Sequence, residues 1–128
     1  MRALVRRLIL AALIIATTPS AMATETITAR GRLLAKKHCT LCHVVGDLNR
    51  FGGIGSTPSF QLLASMKDGE ERFRSFFARR PHVSFVTLPD TKPPTDYPLN
   101  VKPLALSYDE VEAIAVFALT LKDPRLAE

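Results

Sequence analysis

The chain has 128 residues, a length that suits one small domain, with 17 Lys and Arg against 12 Asp and Glu and a formal net charge of +5. The basic residues are scattered and partly concentrated at the N-terminus, so the charge gives no support to a nucleic-acid partner, which would want a basic stripe. No internal repeat, low-complexity tract or charge run is present.

The N-terminus reads as an export signal. Arg2, Arg6 and Arg7 stand among the first seven residues without an acid, Leu8 to Ala16 are wholly apolar, and Ala21-Met22-Ala23 supplies an A-x-A end. The competing reading is a membrane anchor, but the apolar run is about half of the roughly 20 residues a spanning helix needs. Cleavage after Ala23 is expected, with no stable membrane insertion afterwards. Residues 24–128 would remain, 105 in all, with 14 basic side chains against the same 12 acids and a net charge of +2. A domain of that size is marginal on apolar burial alone, and a bound cofactor would stabilise it.

Helical periodicity then appears from Ile27 to His38. Ile27, Gly31, Leu34 and Ala35 share a face, while Arg30, Arg32, Lys36 and Lys37 point away. Glycine in a helix interior costs about 1 kcal/mol, so Gly31 predicts the close approach of another helix. Directly afterwards comes Cys39-Thr40-Leu41-Cys42-His43, the Cys-x-x-Cys-His run of a c-type haem attachment site. Two thiols one turn apart can each add across a vinyl group of one porphyrin, and the histidine can then ligate the iron. The simpler alternative in an oxidising compartment is a disulfide between Cys39 and Cys42, in which His43 has no role.

A short second helix is predicted from about Pro58 to Met66, with Phe60, Leu63 and Ala64 inward. Asp68 and Glu71 then read as the capping box of a third helix, with Phe73, Phe76 and Phe77 on one face, ending at Arg79-Arg80-Pro81. Residues 81–106 hold six prolines in 26 positions and read as a long functional loop, packed as a cover because of its apolar content. The last helix is capped by Ser107 and Glu110, carries Val111, Ile114, Ala115, Ala118 and Leu121 as its stripe, and stops before Pro124. Phe117 flanks that stripe and is large enough to lie in the notch left by Gly31.

Across residues 24–128 the chain resembles the class I cytochromes c, and TPSFQLLASM, RFRSFF and PH resemble a subgroup of small bacterial periplasmic members. Gly31 stands eight residues before Cys39, as in that family's first helix, and AVFALTLK looks like its terminal helix. The resemblance implies an all-α, class I cytochrome c-like fold of three to four short helices around one covalent haem c, with residues 81–106 on the distal side. It also implies thioethers at Cys39 and Cys42, His43 as proximal ligand, and the Pro58 carbonyl as candidate acceptor for the His43 Nδ1–H. Pro58 can equally be a first-turn helix proline. Gly31 and Phe117 would form the crossing of the terminal helices.

The departure from the family lies on the other face of the iron. A methionine is normal there, just before the last helix, but Met66 is the only methionine after Ala23. Met66 reads as core packing or, as the less favoured alternative, a ligand. His82 is the candidate sixth ligand, and the plainer alternative is a capping or propionate-contacting histidine. His38 is expected to project outward. Lys92 and Lys102 could ligate only if burial deprotonated them, and a five-coordinate iron stays open.

The leading function is a periplasmic one-electron carrier, with Lys36, Lys37, Arg79 and Arg80 available to steer an acidic redox partner protein or simply solvated. The alternatives are a haem-based binder or sensor of NO or CO and a haem subunit of a dehydrogenase complex. No nucleophile–base pair or acidic cluster suggests an enzyme acting alone, and zinc would need a further pair of ligands.

Overall fold

The computed structural model describes residues 19–92 and 101–127. Of the expected export signal, residues 1–23, residues 1–18 lie outside the described residues, and 19–23 are helical. No helix among the described residues is long and apolar enough to cross a membrane.

Four helices carry the architecture: α1 (Pro19–His38), α2 (Phe60–Ser65), α3 (Gly69–Arg74) and α4 (Tyr108–Leu119). Helices α1 and α4 pack most extensively against each other, and α3 also lies on α4. The α1–α4 crossing is close because Gly31 lacks a Cβ. A methyl there would overlap the Ala113 carbonyl and come within 2.8 Å of Phe117 Cβ. The notch is therefore filled by the backbone of α4, and the Phe117 ring, expected there, is buried beside it under the Arg32 guanidinium, 6.0 Å from the ring centre. Arg32 is also drawn in from the solvent face by a two-bond pair with Asp47.

Two capping patterns that look alike in sequence behave differently. Ser107 and Glu110 form a full capping box at the start of α4. Asp68 precedes α3 but makes no side-chain cap; its carboxylate accepts instead from Arg72 Nε at 2.8 Å, and Glu71 pairs with Arg79. Helix α3 is also shorter than the aromatic spacing suggests. It ends at Arg74, and Phe76–Ala78 form a 3-10 turn. Of the three phenylalanines only Phe73 is fully buried; Phe76 and Phe77 pack on the core from its edge. Helix α2 starts two residues later than expected, with Ser59 as its N-cap, so Pro58 precedes the helix rather than opening its first turn.

Past the cis Arg80–Pro81 peptide, the proline-rich segment is structured where it is described. His82–Ser84 form a 3-10 turn, and β1 (Val86–Thr87) pairs in parallel with β2 (Leu104–Ala105), Val86 opposite Leu104. The sequence pattern gave no strand here, because two residues are too few to display alternation. Val86, Leu88 and Leu106 are buried from this segment and join Phe60, Phe73, Ile114 and Phe117 in one core.

Candidate functional site

The Cys-x-x-Cys-His segment continues the last turn of α1. The Cys39 amide donates to Ala35 O, and the His43 amide donates to Cys39 O, both at 2.9 Å. One turn therefore presents Cys39, Cys42 and His43 together. Both thiols are free. Burial, with Cys42 adding to it, pushes the Cys39 thiol up to about 12. A redox dithiol needs the opposite, a thiolate stabilised near a helix N-terminus or a cation, whereas Cys39 follows a helix C-terminus whose carbonyls oppose negative charge.

His43 is buried, and its ring orientation is fixed from behind. Nδ1 lies 2.7 Å from the Pro58 carbonyl. A carbonyl can only accept, so Nδ1 carries the proton and Nε2 keeps its lone pair. Burial lowers the His43 pKa, the Pro58 bond offsetting part of this, which keeps the ring neutral at pH 7. Phe60 meets the ring edge-on at 5.4 Å.

The loop behind His43 is closed by Asn49, a residue to which sequence reasoning gave no role. Its Nδ2 donates to Thr40 O at 2.8 Å and to His43 O at 2.7 Å, while Oδ1 accepts from the Val45 amide at 2.7 Å. The available signal was an Asn in a Gly- and Asp-containing stretch, where such side chains bond nearby backbone. Gly53, at φ +79°, lets the returning chain lie against the Cys42–Val44 backbone, and the Ile54 amide then donates to Cys42 O at 2.9 Å.

Cys39, Cys42, His43 and His82 all line one cavity of about 490 Å³. Its other walls are mainly apolar, with Phe60, Phe73, Phe76, Phe85, Leu104 and Ile114 among them, while Lys37, Arg72 and Lys102 add cations. His38, expected to face outward, also lines it, as the last residue of α1 directly before Cys39. Met66 does not line the cavity; it caps the C-terminus of α2. Lys92 is exposed and stands apart from the cavity.

The His82 ring faces His43 across 5.9 Å between centroids, with the two planes only 7° apart. Phe76 and Phe85 hold it at 5.3 and 5.6 Å. Among the described residues nothing bonds to its buried Nδ1. Burial, with a smaller contribution from His43, lowers its pKa to about 4. Both imidazoles are thus neutral and able to donate a lone pair.

This donor set fits haem. Among the described residues no three or more His, Cys, Asp or Glu side chains are placed so that they could hold a metal ion by themselves. A protein-only zinc centre needs such a group, whereas a porphyrin brings four nitrogens and asks for one or two axial donors. The apolar walls suit the macrocycle, and the cations suit its carboxylates. Comparison with known proteins finds no matching family model, no matching curated protein and no matching solved structure.

Proposed function

We propose that this chain is an exported c-type cytochrome that carries single electrons on one covalent haem. The observation that carries the reading is the neutral His43 ring, held by Pro58 O at 2.7 Å with Nε2 free, in the same apolar cavity as two free thiols. Cys39 and Cys42 would hold the porphyrin through thioethers and His43 would ligate its iron, while Lys37 and Lys102 would meet its propionates, Arg72 being engaged by Asp68 at 2.8 Å. When bound, the haem supplies the one-electron redox chemistry; the chain fixes the ligand, excludes water and sets the potential.

Exposed Leu41 flanks Cys42 in sequence, and exposed Ile54 is tied to it by a backbone hydrogen bond. They would offer a partner an apolar contact at this edge, with Lys36 and Lys37 nearby for steering. Arg79 contributes less to steering, since it is engaged by Glu71 at 2.8 Å.

The test is the purified exported protein, denatured and assayed for porphyrin that stays with the polypeptide, beside Cys39→Ala and Cys42→Ala. The expected result is covalent haem with reversible one-electron reduction in wild type, and its loss in the double variant. Wild type free of covalent haem, or a haem content unaffected by both substitutions, would overturn the reading.

A further inference from the structure

We propose that His82 is the second axial ligand, which makes this a bis-histidine centre whose exchangeable side is His82. The proposal rests on the haem reading above. Two imidazoles bonded through nitrogen to one metal ion at about 2.0–2.1 Å have centroids about 6 Å apart. The His43 and His82 rings are 5.9 Å apart, nearly parallel, and border the same cavity.

His82 also has no other visible employment. Among the described residues its side chain makes no hydrogen bond, and its Nδ1 is buried. With neither ring nitrogen bonded, such a ring carries a desolvation cost that one new bond would reduce. A capping role is excluded by the same observation. The competing sulfur, Met66, stands outside the cavity.

The two histidines differ behind the ring. His43 donates from Nδ1 to Pro58 O, which raises the basicity of its other nitrogen. His82 has only Phe76 and Phe85 against it, so its metal bond lacks that support and is the one that opens. A small ligand such as CO would enter on that side, at a rate set by the departure of His82.

The holoprotein tests this directly. Ferric wild type should give a low-spin, rhombic electron paramagnetic resonance spectrum, the signature of two imidazoles in near-parallel planes, with no sulfur-to-iron charge-transfer band. Met66→Leu should leave it unchanged. His82→Ala should become high-spin and return to low-spin when imidazole is added. Reduced wild type should bind CO at a rate that levels off with concentration, and His82→Ala should be faster by about tenfold or more, since its iron is always open.

A high-spin wild type, a sulfur-to-iron band, or a low-spin spectrum retained in His82→Ala would overturn the assignment. The wild-type spectrum decides the ligand pair even where the variant fails to accumulate. Absence of covalent haem from wild type would be a different failure, that of the underlying haem reading.

Discussion

Around His43 the chain is tied by hydrogen bonds: Asn49 makes three to the backbone, Pro58 O accepts from the ring N–H, and the Ile54 and Phe60 amides close onto Cys42 and Val44. Around His82 the backbone is bonded in its own 3-10 turn, with the Phe85 amide on His82 O at 2.9 Å, but the ring is held by apolar contact. Phe76 and Phe85 flank the ring, and two cross-strand bonds, Leu104 to Phe85 and Leu106 to Thr87, attach the returning segment. Directional bonds fix orientation, and aromatic packing fixes position while leaving rotation cheap. One cavity thus has a rigid wall and a compliant one.

The largest expected effect falls on the rigid wall. Asn49→Ala strands two carbonyls and one amide, and at about 1–3 kcal/mol for each group left unpaired, discounted for partial solvent access, the loss should be about 2–4 kcal/mol in urea denaturation. Asn49→Asp keeps the acceptor for Val45 but sets a carboxylate oxygen against the Thr40 and His43 carbonyls, and should lose at least as much. If either variant loosens the Leu104 and Leu106 amides as much as those of Ile54 and Phe60, the two walls are not independent.

Phe85→Ala addresses the other wall. Half-buried, Phe85 should cost about 1–2 kcal/mol, below the usual figure for a fully buried ring. Hydrogen exchange should quicken at Leu104 and Leu106 and stay slow at Ile54 and Phe60. The opposite pattern would dissolve the distinction.

The smallest effect is electrostatic. Hydrogen bonds from Arg32 hold the Asp47 carboxyl below the usual carboxylate range and tie the proximal loop to α1. A lowered folded pKa stabilises above the unfolded value of about 4, and the contribution fades as pH falls through the folded value. Asp47→Asn should therefore flatten the acid limb of the stability curve. The distal segment has no ion pair among the described residues, and its acid sensitivity comes instead from His82, which burial keeps neutral in the folded state, so that stability falls as pH drops below the unfolded value of about 6.5. A steeper acid limb in Asp47→Asn would contradict the sign.

Much of this division was hidden in the sequence. Periodicity located α1 and α4, and Ser107 with Glu110 marked a true cap. The same pattern at Asp68 and Glu71 misled, because arginines one and two turns on competed for both carboxylates. The Cys-x-x-Cys-His run was readable from its own spacing, whereas the Pro58 acceptor came only from the resemblance to the class I cytochromes c. Asn49 was not, since its worth depends on a loop folding back on itself. Nor was the facing of His82, which depends on Phe76, Phe85 and a two-residue strand pair coming from three separate stretches. His38 eluded the helical wheel because the wheel assumes a helix that continues outward, and this one ends where the cavity begins.

The Cys39 thiol, pushed up to about 12, carries a consequence for biosynthetic order. Inside the closed domain that sulfur is almost wholly protonated and a poor nucleophile. Under the haem reading proposed above, a thioether at Cys39 would therefore form more readily in the open chain than in the closed domain.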